Sequence, residues 1–223
     1  MITKSEIYRY LHDIIFIKPC YFIKKLSSNS IAVDVGTGPD ADFSQALINM
    51  YGLKSFGFDP TTKHHKDLDI LEKESKERFR YYKYALADKK EVKLFFESEQ
   101  NISGSFLSDH INVKNGIKKK YEVECITVDD IFDIIGIKNI DLLKIDLEGE
   151  EYSVLNFINR TTLDRIGQLI VEFHHNSVEH FNFNDTKMIV KRLEDYGYAY
   201  FTRDCTNFLF FRKKQKNFKV NKI

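Results

Sequence analysis

Short apolar runs alternate along this chain with longer stretches whose apolar residues recur every three or four positions. "IAVDVG" (31–36) reads as a buried strand, and "DADFSQALINMYG" (40–52) as a helix with Asp40 or Asp42 at its start and Gly52 at its end. "KSFGFDP" is a second strand, "KDLDILEKESKERF" a solvent-facing helix and "RYYKYALAD" a third strand. The alternation resumes with helix "DDIFDIIG", strand "IDLLKID", helix "EEYSVLNFI", strand "GQLIVEFHH" and helix "NDTKMIVKRLEDYG". "YAYFTRD" and "TNFLFFRK" then form a closing antiparallel pair. Continuous apolar strands separated by helices predict an α/β fold, with a parallel sheet covered on both faces.

Two stretches depart from this rhythm. Residues 5–25 read as a helix interrupted at Pro19, with Tyr8, Leu11 and Ile15 on one face. It is either an amphipathic helix touching lipid or a partner, or a cap packed on the domain. Residues 90–128 carry two period-two strands, "EVKLFFES" and "YEVECITV", around a Ser/Gly-containing stretch, and form a small β insert. The expected organisation is an N-terminal helical extension over 1–29, one domain over 30–212 and a basic tail over 213–223.

Composition narrows the function classes. A net charge of +1 gives no overall field for nucleic acid or a membrane surface. No apolar run is long enough to span a bilayer, and no signal peptide is evident. Cys20, Cys125 and Cys205 form no CxxC pair, which points to a reduced, cytoplasmic setting.

Open parallel sheets bind ligands at the carboxyl ends of their strands. The first strand runs out through Asp34, Gly36, Thr37 and Gly38. Glycines there permit a tight turn and a close ligand, but a carboxylate two residues before the turn repels a pyrophosphate and attracts a cationic ligand. S-adenosylmethionine, a sulfonium nucleoside without phosphate, is such a ligand. Asp59, followed by Pro60, stands about 20 residues after Gly38, where an acid accepts ribose hydroxyls. Asp88, after Ala87, is placed either to accept an adenine amino group or simply to shape a turn. Asp146 ends the fourth strand.

These segments, "IAVDVGTG", "FGFDP", "ALAD", "VDDIF" and above all "DLLKIDLEGEEYSVL", resemble the FkbM family of S-adenosylmethionine-dependent methyltransferases from about residue 30 to about residue 211. The resemblance implies a Rossmann-like class I methyltransferase sheet of seven strands with a reversed last strand. It also implies O-methylation of a small molecule or carbohydrate. Here the glycine turn reads "TGPDADF", where the family continues with Asn and a further Gly, so Pro39 and Asp40 reshape that loop.

Methyl transfer to a hydroxyl needs alignment and a base within hydrogen-bond reach. His174 is the first choice, oriented by Glu172 two residues earlier on the same strand side, and Asp146 the second. Asp146, Glu172 and His174 also make a conceivable magnesium or manganese set, but the spacing is non-local and no metal ligand is assigned. Glu148 and Glu151 divide between capping the next helix and binding acceptor. Asn101, Ser103 and Ser105 are candidates to contact a polar acceptor, and His64–His65 reads as an exposed helix start. The competing readings are a nicotinamide-dependent oxidoreductase on a similar sheet and a non-catalytic cofactor-binding scaffold. An RNA enzyme is disfavoured, because no basic, aromatic-interleaved stripe flanks these strand ends.

Overall fold

The computed structural model describes residues 13–99, 101–114 and 116–212. The helix expected over 5–25 is overturned where it can be compared; residues 5–12 and the basic tail lie outside the described residues. Ile14–Ile17 (β1) and Cys20–Ile23 (β2) pair as an antiparallel hairpin turning at Lys18 and Pro19. Both segments consist of β-branched and aromatic residues with one cysteine, a composition that suits a pleated surface better than a helix. The Gln168 side chain fixes the hairpin on the sheet: it accepts the Ile23 N–H at 2.6 Å and donates to the Ile23 carbonyl at 3.2 Å.

The main sheet contains β3 (Ile31–Val35), β4 (Lys54–Phe58), β5 (Phe79–Tyr82), β10 (Ile140–Asp146), β11 (Ile166–Glu172), β12 (Tyr198–Phe201) and β13 (Asn207–Arg212). Its order is β12-β13-β11-β10-β3-β4-β5. β5, β4, β3, β10 and β11 run parallel, and β13 runs against both neighbours. This is the class I methyltransferase arrangement with its reversed last strand.

Adjacent residues of the central strands enter opposite cores. Leu143 and Ile145 pack with α3 (Val128–Ile135), α4 (Glu151–Phe157) and α6 (Phe183–Asp195) through Ile131, Tyr152, Leu155 and Leu193. Leu142 and Ile170 pack on the other face with Phe43 and Leu47 of α1 (Asp42–Tyr51) and with Phe22 of the hairpin. The hairpin thus covers part of the second face, beside α1. A short helix, α5 (Arg160–Leu163), precedes β11, and α2 (His65–Glu74) follows β4. Each fully buried aliphatic or aromatic side chain contributes about 1.5–3 kcal/mol, and this two-sided core holds the strand ends in place.

The expected third strand breaks in two. β5 ends at Tyr82, and Ala85–Leu86 (β6) leaves the main sheet to pair in parallel with β9 (Ile117–Ile126). β9 also pairs with β7 (Glu91–Ser98), and β7 with Gly104–Ser105 (β8), giving the insert its own four-stranded sheet. Among the described residues no helix is long and apolar enough to cross a membrane.

Candidate active site

A cavity of about 330 Å3 opens at the carboxyl ends of β3, β4 and β10. The hairpin turn and the insert wall it, through Lys18 and Cys20 on one side and Ile102, Ser103 and Phe106 on the other. Gly36, Thr37, Gly38, Asp59, Pro60 and Asp146 all line it.

The turn after β3 is dictated by sterics. Gly36 has φ +75°, and a Cβ there would lie 1.8 Å from the Asp146 carbonyl oxygen. Only glycine lets β3 and β10 approach this closely. The Thr37 hydroxyl donates to the Asp34 carbonyl at 2.9 Å, closing the turn. Asp59 fastens the β3 turn to β4: one carboxylate oxygen accepts the Thr61 N–H at 2.8 Å, the other the Gly38 N–H at 3.0 Å. His64, expected at an exposed helix start, is instead buried in the cavity wall. Its Nδ1 lies 3.2 Å from Asp59 Oδ2 and its Nε2 2.8 Å from the Ile102 carbonyl. Both neighbours are acceptors, so only the doubly protonated ring satisfies both. Burial opposes that charge, but the hydrogen bond to Asp59 and its charge outweigh it and raise the His64 pKa. Burial likewise opposes the Asp59 charge, and His64 and Thr61 hold its pKa below the ordinary value. Gly38, Thr61 and His64 occupy three of the roughly four acceptor positions of a carboxylate, leaving one for a ligand.

Asp34, expected to touch the ligand, is not among the residues that line the cavity. It is 1% exposed and lies beneath the floor. Oδ2 accepts the Ser44 hydroxyl at 2.8 Å, and Oδ1 lies 3.3 Å from Lys144 Nζ. The Lys144 ammonium also donates to the Gly36 carbonyl at 3.0 Å and to Asp146 Oδ2 at 3.2 Å. Burial acts against this ammonium, but Asp146 and Asp34 hold it charged. Ala87 and Asp88 are likewise absent from the lining. β6 has turned away toward β9, and the lining ends at Leu86 on this segment.

The β10–β11 end is built differently. The chain leaves β10 through Glu148 at φ +51° and Gly149 at φ +111°. The Ser105 hydroxyl, expected to meet an acceptor, donates to the Glu148 carbonyl at 2.8 Å and pins this turn. Glu151 is fully buried: one oxygen accepts the Gly149 N–H at 2.9 Å, the other the His174 N–H at 2.8 Å. It also lies 3.1 Å from His174 Nδ1. Glu151, not Glu172, therefore orients His174. His174 Nε2 stands 3.4 Å from Glu148 Oε2 and 3.7 Å from Asp146 Oδ1. Burial disfavours its charge, yet Glu151, Asp146 and Glu148 raise its pKa to about 10. An imidazolium cannot accept a proton, so these carboxylates count against His174 as the base. Glu172 pairs with Asp146 across the β10–β11 register but does not line the cavity. Burial and then Asp146 push its pKa up to about 7.

Sequence reasoning missed one participant altogether. His110, in the insert and 0% exposed, brings Nε2 within 3.0 Å of Glu148 Oε2. No motif marks it. His110, Glu148 and His174 bring one ligand atom each to within 4.8 Å of one another. Glu172 and Asp146, weighed with His174 as an ion-binding set but not assigned as ligands, are not in that group.

The residues fit a cationic nucleoside better than a dinucleotide. Asp40, Asp42, Asp59, Asp146 and Glu148 line the cavity, against Lys18 and the already paired Lys144 and His64. The family model of the methyltransferase FkbM domain matches residues 10–200. The chain belongs to the FkbM methyltransferase family. Its sheet has the class I methyltransferase fold. The matched span begins upstream of residue 30, so the hairpin is part of the FkbM domain and not an appendage. No curated protein matches the chain in sequence. Among solved structures, it resembles TrmK of M. capricolum in complex with S-adenosyl-homocysteine, at 13% identity over 84% of this chain and 63% of that one (TM-score 0.43). The chain thus spans less than two thirds of the TrmK chain. It also resembles an rRNA methylase from Streptococcus thermophilus (14% identity, 86% and 91% covered, TM-score 0.47). A third is the Methanococcus jannaschii fibrillarin pre-rRNA processing protein (8%, 95% and 76%, TM-score 0.51). At these identities the likeness is one of fold.

Proposed function

We propose that this FkbM protein methylates a hydroxyl oxygen of a small molecule or sugar, with Asp146 as the general base. S-adenosylmethionine supplies the methyl as an electrophile: the O–CH3 bond forms as the S–CH3 bond breaks, and the sulfonium leaves as a neutral thioether. The chain's part is to hold donor and acceptor and to take the proton. Gly36, Thr37 and Gly38 present main chain to the donor, and the remaining acceptor position of Asp59 suits a ribose hydroxyl. Asp146 receives the acceptor proton at a carboxylate oxygen, because it lines the cavity while Lys144 steadies it from below.

The observation that carries this reading is the combination at the end of β10. Asp146 lines the cavity with a quarter of its side chain exposed, whereas the first-choice base, His174, faces the carboxylates of Glu151, Glu148 and Asp146, which favour its charged form. The acidic lining supports a neutral or cationic acceptor and disfavours a phosphate backbone, which five carboxylates would repel. Ser103, on the insert wall, is the remaining candidate for a polar acceptor contact. A cytoplasmic location fits three unpaired cysteines.

The test is incubation with methyl-labelled S-adenosylmethionine and cell extract or polysaccharide precursors, followed by mass spectrometry. A label recovered on the oxygen of a small or carbohydrate molecule is the expected outcome. Label recovered solely on nucleic acid, or on nitrogen, overturns the acceptor assignment. A thermal shift with NAD and none with S-adenosylhomocysteine overturns the donor.

A further inference from the structure

The methyl-transfer reading leaves His110 unused, although it is the most buried histidine described here. Its ring enters from the insert and stands edge-on to His174, with centroids 5.6 Å apart. Its Nε2 is buried with no hydrogen-bond partner, although Glu148 Oε2 lies 3.0 Å away: the distance is short, but the direction does not make a bond. His174 Nε2 lies 3.4 Å from the same Glu148 oxygen. The two histidine–carboxylate spacings match those between neighbouring ligands around one ion with bonds near 2.0–2.2 Å, and all three ligand-type atoms lie within 4.8 Å of one another, so the two rings need to close only slightly on an ion.

We propose that Nε2 of His110, the Glu148 carboxylate and Nε2 of His174 form a binding site for a divalent first-row transition ion such as zinc. Two imidazoles and one carboxylate select an ion of borderline softness over magnesium or calcium, which prefer all-oxygen shells. The shell behind the ligands fits. Glu151 lies 3.1 Å from His174 Nδ1, so when the ion displaces the Nε2 proton the remaining proton stays on Nδ1 and the Nε2 lone pair faces the ion. Asn112 Nδ2 donates to Glu148 Oε2 at 3.2 Å, and a carboxylate oxygen has a second lone pair for metal. One contact must open. The Asn112 N–H reaches His110 Nδ1 at 3.2 Å, and loading Nε2 moves the ring proton to Nδ1. That single weak hydrogen bond is exchanged for a coordinate bond, so loading displaces the Asn112 amide.

The charge balance points the same way. Carboxylates of Asp34, Asp146, Glu148, Glu151 and Glu172 crowd this end of the sheet, and among the described residues Lys144 is the lysine in contact with them. An ion here stands beside Asp146, 3.7 Å from His174 Nε2, and shares Glu148 with the cavity. Its open positions suit water or an acceptor oxygen.

The site does not depend on the methyl-transfer reading, and the experiment keeps the two apart. Full-length protein is stripped with chelator, then equilibrated separately with Zn²⁺, Co²⁺ or Mg²⁺, and retained metal is counted after gel filtration. One Zn²⁺ or Co²⁺ per chain is expected, with no retained Mg²⁺. His110→Ala and His174→Ala each weaken Zn²⁺ binding by on the order of 100-fold or more, beyond the loss typical of an outer-shell partner. Folding of each variant is checked in chelator by thermal unfolding. X-ray absorption on the zinc-loaded wild type is a second arm that needs no variant, and it should show two imidazoles with oxygen. Absence of stoichiometric metal, wild-type affinity in the histidine variants, or a zinc shell without imidazole overturns the site. The last two outcomes leave an ion-paired histidine–carboxylate cluster. S-adenosylhomocysteine binding measured on the same samples shows whether the donor site fails independently.

Discussion

The two ends of the cavity floor are built on opposite principles. At the β3–β4 end, polar side chains are held largely by main chain: Asp59 by the Gly38 and Thr61 amides, Thr37 by the Asp34 carbonyl, His64 by the Ile102 carbonyl. At the β10–β11 end, side chains hold side chains, and they come from the insert, the β10 turn, α4 and the end of β11. The first end is rigid because most of its partners are main-chain groups in the turns that leave β3 and β4, next to strands that the core has already fixed. The second can change with protonation or with a bound ion, since removing one charge alters the field on all the others. Binding the constant part of the reaction suits the first construction, and chemistry suits the second.

The largest effect should break the second end alone. Asp146→Asn keeps the shape and still offers an oxygen to Lys144, but it cannot take a proton. Turnover should fall on the order of 10²–10⁴-fold, while the affinity for S-adenosylhomocysteine, measured by calorimetry, stays within a few-fold of wild type. Affinity falling as far as turnover would mean that the two ends are not separable.

Lys144 is where the ends meet. Its ammonium touches the Gly36 carbonyl on one side, Asp146 on the other and Asp34 beneath. Lys144→Met leaves two carboxylates uncompensated, and breaking a buried pair this way costs about 3–5 kcal/mol. Adding Asp34→Asn should recover part of that loss, because the more deeply buried of the two charges is gone. Urea unfolding midpoints give both numbers. A single-variant loss under about 1 kcal/mol would show that the ammonium behaves as a surface charge.

The same contrast explains what could be read from the sequence. The donor end is written in consecutive residues, Gly36 to Gly38 and Asp59 to Pro60, and continuous apolar runs located the strands that carry them. Errors arose wherever a distant segment decided. Ile14–Ile17 and Cys20–Ile23 fit a helical stripe as well as strands until Gln168 and the sheet face are present to receive them. "RYYKYALAD" is one apolar run, yet β9 captures its second half and carries Ala87 and Asp88 away from the site. Glu172 is the obvious partner of His174 by strand periodicity, but His174 lies beyond the end of β11, and Glu151 of α4 reaches it first. His110 has no local signal, since only the folding of the insert brings it to Glu148.

The smallest effect sharpens the comparison at the rigid end. His64 is raised above its unfolded pKa and Asp59 is lowered below its own. The signs follow by linkage. The His64 contribution is fully present below the unfolded histidine value of about 6.5 and is lost as pH rises through the folded value. The Asp59 contribution is present above about 3.9 and is lost as pH falls through its depressed folded value. Between those limits the pair is fully formed and the wall it ties, from the β4 loop to Ile102, is at its tightest. His64→Gln keeps a donor for Asp59 but has no charge to lose. The stability difference between wild type and His64→Gln, from urea midpoints, should therefore be largest near pH 5–6 and shrink above neutrality. Lys63, the neighbouring cation, works against the His64 charge, so Lys63→Gln should enlarge the His64 contribution and carry the end of its loss to higher pH. A difference independent of pH from 5 to 9 would mean that His64 is neutral throughout, with one of its two acceptors unmet.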